Sequence, residues 1–269
     1  MLERVEVLDP RWCRPLEPEE LAAAIQGRRL DRLARRGKYL VAHLEGDVHL
    51  IMHLRMTGTV LYDADAALPH TRVRIGLDDG HRLSWVDPRR FGTGELALDS
   101  AQLEAFFALR LGAEPLSEAF TVEGLRAAAR DRRAPVKAFL LDQRRVAGVG
   151  NIYADEALFR AGIHPLRPTG RLTRRQLAAL HEAVEETLRA GIASKGASID
   201  DFRDPDGVMG SFQDEFLVHL REGAPCPTCG RPIKKIVAAG RGTYVCETCQ
   251  PRPRRARRGL EETREPRGG

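Results

Sequence analysis

The sequence predicts an α+β protein with a β-rich first part, a helical part behind it and a small cysteine-stapled hairpin near the end. Three observations carry that prediction. Apolar and polar residues alternate over much of residues 3–98, the period of half-buried strands. From about residue 99 the apolar spacing lengthens to the three-and-four rhythm of amphipathic helices. Between residues 226 and 249 four cysteines stand as two CxxC pairs, a spacing that suits a metal ion.

Each element has its own signal. RVEVLD alternates, and DVHLIMHLRM sets Val48, Leu50, Met52 and Leu54 on one face. LDDGHRLSW puts Asp79-Gly80 between two short alternating runs, which is hairpin-turn chemistry. EPEELAAAIQG is the one helix of this region and ends at Gly27. Further on, AQLEAFFAL, TVEGLRAAARD, PVKAFLLDQ, NIYADEALFRAG and TRRQLAALHEAVEETLRAGI all read as helices. The last opens with Thr173 and Gln176 in capping-box spacing, and Leu177, Leu180, Val184 and Leu188 make its apolar stripe. The expected domains are a β-rich domain over 1–98, a helical domain over 99–221 and a cysteine hairpin over 222–250. The tail from 251 to 269, PRPRRARRGLEETREPRGG, has little to bury and is expected to be disordered. No internal repeat is present.

Length and charge bound the function. A chain of 269 residues can hold two domains with separate cores. Lys plus Arg number 43 against 38 Asp plus Glu, a net charge of +5. That excess is compatible with a polyanionic partner without requiring one. No apolar run reaches membrane-spanning length and no signal peptide opens the chain, so a soluble cytoplasmic protein is expected.

The strongest single motif is CPTCGRPIKKIVAAGRGTYVCETC. Its two knuckles, Cys226/Cys229 and Cys246/Cys249, can converge four thiolates on one tetrahedral Zn²⁺. A closed shell of four sulfurs leaves no position for water, so such a zinc is structural. Redox-active thiols are the competing reading and fit the paired spacing less well. Lys234, Lys235, Arg241 and Tyr244 lie between the knuckles on an expected β-hairpin. They suit either a nucleic-acid finger or an ordinary solvated face. Cys13 stands apart and is expected to be a small, semi-buried residue.

A second motif is VAGVGNIYADEALF, residues 146–159, in which Gly148 and Gly150 precede a helix. Glycines there allow an anion to approach the unpaired N–H groups at a helix start. An ordinary helix start capped by Asn151 is the alternative.

Taken in order, RRGKYL, HLRMTG, DPRRFG, GVGNIYADEALF, DGVMGSF and the four cysteines resemble the formamidopyrimidine-DNA glycosylase family, which includes the endonuclease VIII enzymes. The likeness covers nearly all of residues 3–250. It implies a bilobal monomer with an N-terminal β-sandwich-like domain, a helix–two-turns–helix and a zinc hairpin finger with one structural Zn²⁺. The implied activity is base-excision repair in a bacterial cytoplasm, on double-stranded DNA holding oxidised purines or abasic sites. The base is removed and the strand is then cut by β- and δ-elimination. Met56, Arg89 and Phe91 match the residues that fill the gap left by the everted nucleotide. From the residues alone, Met56 could equally be core, and Arg89 could pair with Asp87. Phosphate contacts carry over as Lys38, His53, Asn151, Tyr153 and Arg241, with Lys38 and Arg241 also implied to assist elimination. His70, Arg132 and Lys137 match further DNA-binding positions.

Two departures qualify the resemblance. The family begins with Pro-Glu, the nucleophile and its acid–base partner, whereas this chain starts MLERVEVLDP. A start assigned too late and a real truncation are the two explanations, the first being favoured. The second departure is VHLREG at 218–223, where the family has an aromatic-glycine pair. It leaves base preference around 204–221 open. Endonuclease VIII-like action on pyrimidine lesions and a non-catalytic zinc-bearing lesion binder are the alternatives. The chain from Met1 is expected to bind abasic duplex weakly and excise little, since no proline nitrogen is free to attack C1′. Borohydride trapping on 8-oxoguanine duplex checks this, and efficient trapping by the chain from Met1 would require another nucleophile.

Overall fold

The computed structural model describes residues 1–65, 67–198 and 209–253. In chain order the first part runs β1 (Leu2–Val7), α1 (Pro18–Ile25), β2 (Leu30–Arg36), β3 (Tyr39–Leu44), β4 (Val48–His53), β5 (Thr59–Tyr62), β6 (Thr71–Leu77), β7 (Arg82–Val86) and β8 (Thr93–Ala97). Its strands form two antiparallel four-stranded sheets, ordered β1-β6-β7-β5 and β2-β3-β4-β8. Alternation explains the inner faces. Leu2, Val5, Leu44, Leu50, Met52, Val73 and Trp85 point into one shared core with Trp12, and Leu21 and Ile25 of α1 close it. The helix begins with Pro18 inside a Glu17–Glu20 capping box.

The expected one-sided burial of β4 is only half of what the fold does. Residues Val48 to Met52 are all buried. Helix α2 (Ser100–Ala108), N-capped by Asp99, lays Leu103 and Phe107 over Ile51, Val41 and Ala97 on the outer face. β4 is therefore held between two apolar layers. Cys13 also departs from expectation: it is fully buried, its thiol directed at the carbonyls of Pro10 and Leu16.

The helical part comprises α3 (Val122–Ala129), α4 (Val136–Leu141), α5 (Asn151–Arg160) and α6 (Arg174–Ala193). These bury a common core of Val136, Leu140, Val149, Leu158, Ile163, Leu177, Leu180 and Val184. The Thr173–Gln176 capping box forms as the spacing predicts. Behind them β9 (Lys234–Ala238) and β10 (Arg241–Val245) make the hairpin, turning through Ala239 and Gly240 at positive φ. The positive φ at both turn residues gives the backbone twist that suits a two-residue hairpin. Most of the basic tail, 254–269, lies outside the described residues, as do 199–208 of the DGVMGSF region.

One close approach gives a test of the sandwich. A Cβ on Gly94 would lie 2.1 Å from Cη2 of the Trp12 ring, which itself packs edge-on against Trp85. Both indoles are buried, so neither can retreat. Gly94→Ala is expected to destabilise the protein by about 1–3 kcal/mol through overpacking. Urea unfolding with both tryptophans as fluorescence probes measures this, and an unchanged midpoint would contradict the packing described.

Candidate nucleic-acid interface

The helix that follows GVG starts at Asn151, but Asn151 does not cap it. Gly150 occupies the cap position, and no side chain among the described residues bonds the first-turn amides. Those N–H groups and the positive helix end are therefore available to an anion. The Asn151 amide instead donates Nδ2–H to the Gly242 carbonyl, 3.2 Å away, joining the helix start to the hairpin. Its Oδ1 is buried without a partner among the described residues. Gln143 braces the preceding turn, accepting from the Gly148 N–H and donating to the Val149 carbonyl.

Lys38, in the turn just before β3, reaches the same turn from the other lobe. Its ammonium donates to the Val149 carbonyl at 3.0 Å. The residue is exposed to water overall, yet Nζ sits in a seam crowded by protein. That burial, and then the charge of Arg241, hold its pKa below the ordinary lysine value. Arg241 itself is exposed at the first position of β10. The structure thus brings Lys38, Asn151, Arg241 and an uncapped helix start together from three separate stretches of chain.

His53 ends β4 opposite Tyr39, and the two rings meet edge to face. Its Nδ1 accepts the Arg55 N–H at 2.9 Å, which leaves the proton on Nε2. Burial, then Arg55 and Lys38, push its pKa down to about 4. At neutral pH His53 is an uncharged donor. Just beyond it the turn through Met56 is tight: a Cβ on Gly58 would meet the Leu54 carbonyl at 2.5 Å. This turn drives Met56 outward, 70% exposed, and answers the question of whether it belongs to the core. Arg89 donates to the Met56 sulfur at 3.5 Å and lies 4.8 Å over the exposed Phe91 ring. The three predicted gap-filling residues form one surface cluster.

Asp87 builds that cluster, a role the sequence reading missed. Its carboxylate is 1% exposed and does not pair with the Arg89 guanidinium. Instead it accepts the Thr57 hydroxyl and the backbone N–H groups of Arg89, Phe91 and Gly92. One buried acceptor ties the Met56 turn to the Arg89–Phe91 loop. DPRRFG contained the signal, since an Asp ahead of a run of free amides invites such capture.

Lys137 is a correction. Expected to touch DNA, its side chain is 0% exposed. It lies 2.7 Å from Oδ1 of Asp155, also 0% exposed, and donates to the Thr243 hydroxyl and the Gly242 carbonyl. Lys137 anchors the hairpin to the helices. The second Asp155 oxygen faces Nδ1 of His219 at 2.8 Å and accepts the Tyr244 N–H. Glu156, equally buried, accepts the N–H groups of Leu217, Val218 and His219. The departure at VHLREG now has a structure: His219 turns inward to Asp155, and Leu220 takes a positive φ of 58°.

The remaining sites divide. Tyr153 is half-buried, stacked on Phe212 and pressed against Gly191, so its ring is mostly packing. His70 is exposed at positive φ beside Arg72. Arg132 is partly buried, its Nε donating to the Ala128 carbonyl. The Met1 ammonium is bound to Asp78 at the β6–β7 turn.

The four cysteine sulfurs lie within 4.8 Å of one another, with Cys226–Cys249 at 3.8 Å and Cys229–Cys246 at 3.5 Å. Sulfurs on a tetrahedral zinc stand about 3.8 Å apart for Zn–S bonds of ~2.3 Å. The donor set and its spacing fit the ion.

Residues 1–94 match the family model for the formamidopyrimidine-DNA glycosylase N-terminal domain, and 111–203 that for its H2TH domain. Residues 223–252 match the zinc finger found in FPG and IleRS. The formamidopyrimidine-DNA glycosylase of Chloroflexus aggregans is 47% identical over 250 residues, covering 90% of this chain and 87% of that protein. The chain belongs to the formamidopyrimidine-DNA glycosylase family. Its fold is similar to the MutM (Fpg) protein of Thermus thermophilus, with TM-score 0.83, 44% identity, and coverage of 93% of this chain and 91% of that one. The Lactococcus lactis Fpg, solved in complex with DNA containing an abasic site, superposes with TM-score 0.86 at 34% identity over 93% of this chain and 92% of that chain. With the zinc-finger match, the cysteine cluster is the site of one structural Zn²⁺, held by Cys226, Cys229, Cys246 and Cys249. Among the described residues no helix is long and apolar enough to cross a membrane.

Metal content and acid stability both test this geometry. Cys246→Ser is expected to lower bound zinc well below one per chain and to loosen the hairpin. Metal analysis on the purified variant reads it, and full zinc occupancy would refute the ligand set. The second test concerns acid. His53 titrates at about 4 when folded and near 6.5 when unfolded, so the unfolded chain binds the extra proton between those values. Stability should therefore fall as pH drops from 6.5 to about 4. In His53→Gln that part of the fall, on the order of 2 kcal/mol, should vanish. Identical pH–stability curves for the two proteins would disprove it.

Proposed function

We propose that the chain is a DNA glycosylase and abasic-site lyase of base-excision repair, acting on oxidised purines such as formamidopyrimidines in duplex DNA. The observation that carries this reading is the convergence of Lys38, Asn151 and Arg241 on one uncapped helix start. Such a corner is built for a backbone phosphate. On the β-lobe, His53 lies near enough to Lys38 to feel its charge, and Met56, three residues on, clusters with Arg89 and Phe91. A glycosylase must evert its target nucleotide and fill the space left behind. In this reading Met56 and Phe91 enter the stack, and Arg89 meets the orphaned base opposite the lesion. That cluster favours purine lesions over endonuclease VIII-like pyrimidine chemistry. The Lactococcus lactis Fpg, a similar protein, has been solved in complex with abasic-site DNA and with Fapy-dG DNA, which supports the substrate class.

Roles follow from charge and geometry. Arg241 is the exposed cation beside the lesion phosphate and stabilises charge as the strand is cut. Lys38, whose pKa burial and then Arg241 lower, gives up its proton more readily than an exposed lysine and is placed for the proton transfers of elimination. His53 supplies a neutral Nε2–H to a phosphate oxygen. Tyr153 supports the turn beneath Asn151, and His70 and Arg132 contact the flanking backbone. Such phosphate contacts place the duplex without reading its sequence. The reading puts the enzyme in the bacterial cytoplasm, on the nucleoid.

Salt dependence distinguishes these roles. Arg241→Ala should reduce the slope of log K against log salt by about one, the loss of one phosphate contact. His53→Gln should weaken binding with the slope unchanged, because no charge is removed. Arg89→Ala should chiefly lower discrimination of the base opposite the lesion. Anisotropy titrations on abasic-analogue duplexes measure all three, and a sequence-selective loss for Arg241→Ala would refute its phosphate role.

A further inference from the structure

Behind the Arg132 position the surface forms a second basic recess that no motif of the sequence picks out. It measures about 370 Å³ and is lined by Arg167, Pro168, Arg171, Pro251, Arg252 and Pro253. Its composition is three guanidinium groups on a frame of three prolines, whose fixed φ angles hold the walls still. The Nε of Arg167 is buried with no hydrogen-bond partner among the described residues. Arg252 is paired with Glu247, whereas no ion pair between described residues involves Arg167 or Arg171. A recess lined by three arginines, two of them without an ion pair among the described residues, suits an oxyanion.

Its position ties it to the Arg132 loop, which the functional reading above sets against the DNA backbone. The short turn Thr169–Arg171 hydrogen-bonds directly to the Arg132 loop: Gly170 N–H to the Arg132 carbonyl at 2.8 Å, and the Thr169 hydroxyl to the Ala134 carbonyl at 2.7 Å. The other wall, Pro251–Pro253, is where the chain leaves the zinc hairpin, and the sequence continues as RRARR. The recess thus joins the helical part to the zinc finger, with further cationic chain attached.

We infer that Arg167, Arg171 and Arg252 form a phosphate-binding subsite, which takes a phosphodiester of the duplex beyond the lesion-flanking contacts. The inference rests on the DNA-binding reading above for its source of phosphate. Guanidinium groups hold phosphate oxygens by paired, charge-assisted hydrogen bonds, so the subsite adds affinity and register without base preference. It lengthens the footprint on the side of Arg132.

The test uses the full chain and the R167A/R171A double variant, on two abasic-analogue duplexes. One is confined to the lesion and its nearest neighbours, and the other carries an extra helical turn on each side. On the long duplex the double variant should lose about 0.9 of salt slope, the share of one phosphate contact. On the short duplex the two proteins should bind alike. A second arm records thermal stability with inorganic phosphate at constant ionic strength. A phosphate-dependent rise in Tm that the variant lacks, together with an unchanged long-duplex slope, would keep the subsite but make free phosphate its ligand. Equal slopes on both duplexes with no phosphate effect would overturn it, as would an equal loss on short and long. If wild-type protein fails to bind even the short lesion duplex, the functional reading falls while the phosphate arm still decides the subsite.

Discussion

The contact between Lys137 and Asp155 is the constraint on which the helical side of the site depends. Both side chains are fully buried, so each would be costly to keep charged alone. Together with Thr243, Gly242, Tyr244 and His219 they form a buried polar knot among α4, α5 and the hairpin. Asp155 lies one turn into α5, the same helix whose uncapped start meets Lys38 and the hairpin. Whatever fixes Asp155 fixes that start. Because the knot also holds the strand beginning at Arg241, helix and hairpin move as one piece. Removing either partner would leave a buried charge unanswered, at about 3–5 kcal/mol.

Asp87 does the equivalent work on the β-lobe with different chemistry. No cation among the described residues pairs with it; backbone amides and one hydroxyl hold it. Several donors converging on one carboxylate pin two loops at once. The contrast between the lobes is informative. Where a separate hairpin has to be tied to helices, a buried ion pair is used. Where two adjacent loops of one sheet need aligning, a capped carboxylate is enough.

The elements were largely legible because their signals are local: alternation in RVEVLD, the Asp79-Gly80 turn, the Thr173–Gln176 box and the paired CxxC knuckles. Most of the site was legible through ordered motifs, which is why Met56, Arg89 and Phe91 meet as expected. Failures arose where a distant partner decides the outcome. Lys137 reads the same whether it faces water or Asp155, and only the tertiary fold chooses. The charge state of His53 depends on Tyr39, Arg55 and Lys38 around it. β4 reads as one-sided because α2, which covers its other face, comes from another stretch of chain. Asn151 was expected as a possible cap, but Gly150 leaves the helix end open and frees the amide for Gly242.

The double cover on β4 has a mechanical consequence. Lys38 and His53 emerge from adjoining strand ends, and Met56 follows within one tight turn. This rim is rooted in a strand gripped from both sides, so little local motion is available to it. A rigid edge meeting a bendable polymer leaves the polymer to adapt. Kinking and unstacking must then be supplied mainly by the nucleic acid, and the flexibility of the base steps around a lesion becomes part of how it is recognised.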